Sequence, residues 1–454
     1  MEALLISTYD LGRQPFGLAS PAAWLRRAGI DVACVDTSRE PLEDARIAAA
    51  SVVAFYLPMH TATRLAEPVI ARVRLVNPSA RLCAYGLYAP LNAGWLRDRG
   101  VTELLGPEAE QELVELVKSQ TPPTPKAPAR PAPQGLPRLA FIQPDRTGLV
   151  PLARYATLRM PDGTRRTIGS TDATRGCKHT CRHCPIVPVY QGQFRVVPID
   201  VVMADVRALV EQGAEHITFG DPDFLNAPTH ARRLTERVRR EHPGVSYDVT
   251  IKIEHLLRHA EMLPRLRDTG CLLVTSAVES IDDATLEKLR KGHTRSDFLR
   301  ALELCRGAGL ALSPTFIPFM PWTTVESYAE LLDLLIKEQL VEQVAPIQLA
   351  IRLLVTAESP LLELPDIARR VMPFDGASLT WPWRHEDGRV DHLQMEAMRI
   401  AGAGSGQPRR EVFAAIAALI GRELPRAGAA PAAAGAVPVV SEPWYCCAEP
   451  MEAV

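Results

Sequence analysis

Three cysteines crowd into the stretch RGCKHTCRHCP: Cys177, Cys181 and Cys184, in a CxxxCxxC spacing. Three thiolates on one short loop can hold three irons of a cubane cluster and leave the fourth iron open to a substrate. The same spacing suits a zinc site, with His179 or His183 as the fourth ligand. A second thiol pair, the adjacent Cys446 and Cys447, sits in the terminal WYCCAEPMEAV. Neighbouring thiols chelate soft, thiophilic acceptors, whereas exposed free thiols without a task are an oxidation liability. The other four of the nine cysteines, Cys34, Cys83, Cys271 and Cys305, lie among apolar residues. They read as buried structural thiols.

The elements that must position these groups fall into two α/β units separated by proline. SQTPPTPKAPARPAPQGLP (119–137) has seven prolines and reads as a semi-rigid extended linker. Before it, residues 1–118 alternate short apolar runs (ALLIST, DVACVDTS, SVVAFYLP, RLCAYGLY, VTELLG) with helical patterns. That predicts a small flavodoxin- or Rossmann-like parallel sheet, with ligands beyond the carboxyl ends of its strands. The loops there contain no phosphate-type GxGxxG. After the linker, residues 138–365 repeat the alternation: GSTDATRG, HITFGD, YDVTIKI, CLLVTSA, LALSPTFIP and APIQLAI are the strand candidates. Six β/α units predict a partial (β/α)6 barrel with its site at the C-terminal strand ends. The cysteine loop follows the first of those strands. Residues 366–425 form a C-terminal extension containing the amphipathic REVFAAIAALIGREL, and 426–454 read as a flexible tether ending in the cysteine pair. LTWPWRHEDGRVDH, with His385, Glu386, Asp387 and His392, reads as a solvated polar loop.

Composition restricts the classes. The 454 residues carry a net charge of −2, with 47% hydrophobic and 23% charged residues. This argues against a nucleic-acid or membrane surface. No apolar run reaches the roughly 18–20 residues of a spanning helix. The opening MEALLISTYDLG lacks a basic n-region and a long apolar core, so a cytoplasmic location is expected.

The cysteine motif resembles the radical S-adenosylmethionine (SAM) superfamily, whose pattern CxxxCφxC has an aromatic residue before the third cysteine; His183 fills that position. The resemblance implies a [4Fe–4S] cluster on Cys177, Cys181 and Cys184, SAM chelated to the open iron, and an electron donor such as a flavodoxin or ferredoxin. It further places Gly220, Asp221 and Asp223 of FGDPDF where the family's Gly-Gly-Glu motif holds the SAM ammonium, with Asp standing for Glu. In TIKIEH, Lys252 and Glu254 would share a face, and Lys252 would either pair with the SAM carboxylate or form a surface salt bridge. Ser276 and Glu279 of TSAVES resemble ribose-binding positions. The N-terminal domain resembles the cobalamin-binding domains that precede many radical SAM barrels. It lacks their DxHxxG loop, and YDLGRQPFG has no histidine, so both a cobalamin-binding and a purely structural domain stay open.

The tail WYCCAEP resembles that of radical SAM proteins ending in CCAEP or CUAEP, where selenocysteine replaces the second cysteine, here Cys447. Selenium for sulfur suits a residue that reacts with, or ligates, something soft. Related enzymes with cysteine-rich tails are associated with moving the 3-amino-3-carboxypropyl group of SAM to arsenite. The resemblance thus implies catalytic Cys446 and Cys447 holding a small soft acceptor such as trivalent arsenic. Hydrogen abstraction by a 5′-deoxyadenosyl radical, cobalamin-assisted methylation, and a non-enzymatic thiol-rich metal-binding or redox-sensing protein are the other readings.

Overall fold

The computed structural model describes residues 1–119, 139–404, 406–424 and 437–442. The proline-rich linker, most of the tether, and Cys446 and Cys447 lie outside the described residues. No helix among the described residues is long and apolar enough to cross a membrane.

Five strands build the first sheet: β1 (Ala3–Ser7), β2 (Val32–Asp36), β3 (Val52–Tyr56), β4 (Arg81–Tyr85) and β5 (Glu103–Leu104). All pairs are parallel, in the order β2-β1-β3-β4-β5. The interiors of β1 to β4 are apolar and buried without the inside–outside alternation of a one-sided sheet. The order reverses between β1 and β3. The crevice beyond their carboxyl ends is where such sheets bind ligands.

The second sheet contains β6 (Thr157–Arg159), β7 (Arg165–Thr171), β10 (His216–Phe219), β11 (Ser246–Thr250), β12 (Cys271–Glu279), β13 (Ala311–Phe316) and β14 (Val439–Val440). Its order is β13-β12-β11-β10-β7-β6-β14. The five strands from β7 to β13 run parallel and form an open half-barrel. APIQLAI is not a sixth strand. Pro346–Leu349 forms a 3-10 turn, and the sheet continues only through a parallel bridge between Phe319 and Arg352. A separate ribbon of β8 (Thr174–Gly176) and β9 (Phe194–Val196) frames the cysteine loop on both sides. Cys34, Cys83, Cys271 and Cys305 are buried, as expected; burial pushes the Cys34 and Cys305 thiols up to about 12.

The C-terminal extension is helical at Gly388–Ala403 and Arg409–Ala418. LTWPWR departs from the expected solvated loop. Asp375 and Thr380 pair in a short antiparallel turn, and Leu379 at its tip is buried in the core of the N-terminal domain. Trp95 Nε1 donates to the Gly376 carbonyl at 2.8 Å, and His60 Nε2 lies 2.6 Å from that of Ser378. Only the charged half of the segment stays in solvent: Glu386 and His392 are exposed, and Asp387 caps the helix that follows.

Buried polar contacts join the two units. Arg175 pairs with Glu110 at 2.6 Å and also donates to Ser20. Arg146 forks onto Asp205 and donates to Gln14 at 2.8 Å. The Tyr155 hydroxyl donates to Asp36 at 2.9 Å. The tether returns to this seam: Val439–Val440 pairs antiparallel with β6, and Glu442 accepts a hydrogen bond from the Tyr9 hydroxyl at 3.1 Å. The far end of the tether is therefore fixed to the sheet.

Candidate active site

The half-barrel's carboxyl ends carry the candidate residues, because a parallel β/α arrangement puts every strand-to-helix loop on that rim. The cysteine loop leaves β8 at Gly176 (φ +78°). A Cβ there would lie 2.3 Å from the Tyr190 ring, so only glycine permits this tight exit. Cys181 is buried, and Cys177 and Cys184 are partly so.

The loop is backed by a buried ionic group. His183 Nε2 lies 3.0 Å from Glu279 Oε1, and Lys291 Nζ donates to the same oxygen at 3.4 Å. Glu279 ends β12 in the left-handed region (φ +69°), where the register with β13 shifts. Burial would raise its carboxyl, but the Lys291 charge and the His183 hydrogen bond hold it down at about 2. Burial would lower the Lys291 ammonium; Glu279, Cys181 and Cys184 more than offset that and keep it raised. A fixed buried cation facing two thiols is what a negatively charged thiolate centre requires. The loop thus fits an iron–sulfur cluster on Cys177, Cys181 and Cys184.

The residues after β10 behave differently from one another. Gly220 passes so close to Asp172 that a Cβ would sit 2.4 Å from its Oδ1. Asp221 turns back on the β7–β8 connection, accepting from Ala173 N at 2.9 Å and Thr174 Oγ1 at 2.5 Å. Burial raises its carboxyl to about 7, against the Thr174 hydrogen bond. Asp223 instead faces His179 Nε2 at 3.2 Å and His255 Nδ1 at 2.6 Å. Burial would raise this carboxyl too, but the two imidazoles hold it well below the usual range.

Lys252 follows β11 as the N-cap of the helix Ile253–Arg258, its own backbone still extended, so the expected strand alternation ends at it. Its Nζ still meets Glu254 at 3.4 Å and His179 Nδ1 at 3.2 Å. Ser276 is fully buried within β12, its hydroxyl without a hydrogen-bond partner among the described residues. The structure therefore gathers His183 with Glu279, and Asp223 with Lys252 by way of His179. Lys291 and His255 were missed from sequence. The signal for Lys291 was faint: a cation in KGHT, directly after a short helix.

A cavity of about 160 Å³ adjoins the loop. Gly176 and Ile186, which flank the cysteines, line it together with Asp172 from the barrel and Gly17, Tyr56 and Tyr85 from the switch point of the N-terminal sheet. Burial raises the Asp172 carboxyl to about 6, with Arg175 opposing.

Residues 172–335 match the family model for the Radical SAM superfamily. A hopanoid C-3 methylase of Methylococcus capsulatus is 28% identical over 160 residues, which is 35% of this chain and 30% of that protein. The ribosomal protein uS12 methylthiotransferase RimO of Parabacteroides distasonis is 29% identical over 170 residues, 35% of this chain and 38% of that protein. The match thus covers well under half the length of these curated relatives. Among solved structures, the radical SAM methyltransferase TsrM from Kitasatospora setae, with cobalamin and a [4Fe–4S] cluster bound, has a TM-score of 0.64. It is 15% identical and covers 88% of this chain and 91% of that one. The cobalamin-dependent radical enzyme OxsB, with aqua-cobalamin and SAM bound, has a TM-score of 0.65 at 12% identity over 89% of this chain and 67% of that one. At these identities the likeness is one of fold.

Proposed function

On the premise that the chain carries a radical SAM domain, we propose that it is an enzyme transferring a SAM-derived carbon group to a small acceptor at the seam between its two domains. The observation that carries this reading is the cavity shared by the residues flanking the cysteine loop and the switch point of the N-terminal sheet. At about 160 Å³ it is well below the roughly 300–1,000 Å³ of sites for drug-sized ligands, so the acceptor would be small.

A [4Fe–4S] cluster on Cys177, Cys181 and Cys184 would supply the electron that breaks a carbon–sulfur bond of SAM. The chain's own residues would orient and insulate. Lys291 and Glu279 fix His183 beside the cluster loop, and Lys252 offers a cation to a carboxylate. Tyr56, Tyr85 and Phe16 keep the acceptor side apolar and exclude water. Asp172, with its carboxyl raised, could hold or release a proton there near neutral pH.

Methyl transfer is supported by the names of the relatives. For cobalamin, the Tyr9–Gly17 loop offers no histidine. The Tyr56 ring also lies against Gly17, where even a Cβ would come within 2.1 Å of it. Tyr56, Arg175 and Glu110 line the small cavity at this seam.

Transfer of the aminocarboxypropyl group to a soft acceptor such as trivalent arsenic, carried by Cys446 and Cys447, is favoured by one observation. Glu442 is fixed at Tyr9, and four residues span at most about 14 Å. The cysteine pair would therefore be tethered close to the seam.

The experiment uses anaerobically reconstituted protein with SAM and a strong reductant, with and without trivalent arsenic and with and without cobalamin, followed by mass spectrometry. S-Adenosylhomocysteine would mark methyl transfer. Methylthioadenosine with an aminocarboxypropyl arsenical would mark the tail-carried reaction. 5′-Deoxyadenosine under every condition would replace group transfer with hydrogen abstraction, and no SAM cleavage would overturn the enzyme reading.

A further inference from the structure

Three ligand-type side chains that include none of the cysteines converge behind the cysteine loop. His179 lies in the loop, Asp223 follows β10, and His255 sits in the helix after β11. One ligand atom from each lies within 4.8 Å of the others, and the two imidazole centroids are 4.8 Å apart. Asp223 and His255 are buried, and His179 is nearly so.

Two details distinguish this group from an ordinary buried ion pair. First, His255 Nδ1 comes within 2.6 Å of Asp223 Oδ2, while its buried Nε2 has no hydrogen-bond partner among the described residues. A buried polar group left without a partner costs about 1–3 kcal/mol. An ion accepting one lone pair from each imidazole and one from Oδ2 would hold the three side chains together. Second, the surroundings already orient the set. Asp223 Oδ1 accepts from the backbone of Leu225 at 3.3 Å and Lys252 at 3.5 Å, which leaves Oδ2 for the convergence point. His179 Nδ1 lies 3.7 Å from Glu254 Oε2, and a metal-bound imidazole commonly donates its outer N–H to a carboxylate. Lys252 has Glu254 as a partner at 3.4 Å, so it need not stay on His179.

We propose that His179, Asp223 and His255 form a binding site for one divalent cation of the borderline class, such as zinc, ferrous iron or cobalt(II). Two imidazoles and one carboxylate suit these ions and leave coordination positions open. The site is separate from the cluster thiols, and in it Asp223 serves a cation of the protein in place of the SAM ammonium that its position in the sequence suggested. It does not depend on which group the enzyme transfers.

The test is cobalt(II) titration of the full chain with Cys177, Cys181, Cys184, Cys446 and Cys447 all changed to serine, so that no cluster or tail thiol competes. One equivalent should bind with visible d–d absorption and without a thiolate-to-cobalt charge-transfer band. Asp223→Asn and His255→Gln should each weaken binding by more than about tenfold. No binding, or binding that neither substitution affects, overturns the proposal. If the serine variant does not fold, zinc is measured in the reconstituted wild-type chain. One zinc per chain beyond the cluster iron, lost in His255→Gln, supports the site; its absence overturns it. Loss of SAM binding in Asp223→Asn with cobalt retained would make Asp223 a SAM ligand and also overturn it.

Discussion

The Tyr9 hydroxyl donates to Glu442 Oε1 at 3.1 Å across 433 positions of sequence. Arg39 stands 3.8 Å from the other oxygen, and Gly12 (φ +68°) leaves no room for a Cβ, which would meet that oxygen at 2.7 Å. Tyr9→Phe combined with Glu442→Gln should leave SAM cleavage intact while lowering product formation several-fold, if the tail carries the acceptor. The ratio of cleaved SAM to transferred product checks this; an unchanged ratio separates the clasp from the chemistry.

Arg175 and Glu110 form an ion pair with side-chain exposures of 9% and 3%. Removing one partner of such a pair strands a buried charge and costs about 3–5 kcal/mol. Arg175→Met should therefore destabilise the chain by about that amount and expose the seam to protease. Denaturant unfolding and limited proteolysis measure both effects, and Glu110→Gln should cost less because Ser20 still meets Arg175.

Asp172 adds to the raised pKa of Asp10 across the seam. Burial pushes Asp10 up to about 7, against Arg13 and with help from Asp36 and Asp172; burial pushes Asp172 up to about 6. A carboxyl whose folded pKa exceeds its unfolded value near 4 takes up its proton preferentially in the folded state. Its contribution is complete at low pH and is lost as pH rises through 6 and 7. Melting temperature should fall by a few degrees between pH 5 and pH 8. Asp10→Asn with Asp172→Asn should flatten that slope, and a wild-type profile that is already flat would refute the coupling.

Lys291 is the buried cation whose charge interacts with the Cys181 and Cys184 thiols. Lys291→Met should leave Glu279 with His183 in place of a fixed cation and reduce iron and sulfide per chain after reconstitution by half or more. Lys291→Arg should retain part of both. Iron content and the electron paramagnetic resonance of the reduced protein distinguish loss of the cluster from loss of fold.

The first four strands of the N-terminal domain were legible because two-sided burial makes their interiors apolar runs. That signal also misled: APIQLAI is equally apolar and buried, but Pro346 opens a 3-10 turn. Cys177, Cys181 and Cys184 stand out in the sequence as candidate ligands because metal ligation from one loop needs a fixed local spacing. His255 and Lys291 do not, since they reach Asp223 and Glu279 from distant helix ends, a meeting set by the strand order. Leu379 was misplaced for a related reason. Its neighbours are polar, and its partners lie in a sheet that ends nearly three hundred residues earlier.

Leu379 has a bearing on the order in which the chain is made. The core of the first domain receives its last side chain only after the whole half-barrel has been synthesised. Domains generally fold as units, N-terminal first, during synthesis. Here the first unit leaves the ribosome without Leu379 in its buried cluster, and the Gly376 carbonyl that Trp95 donates to is likewise encoded far downstream. Completion of that core is thus a late event in the birth of the protein, and it reports that the barrel between them is already present.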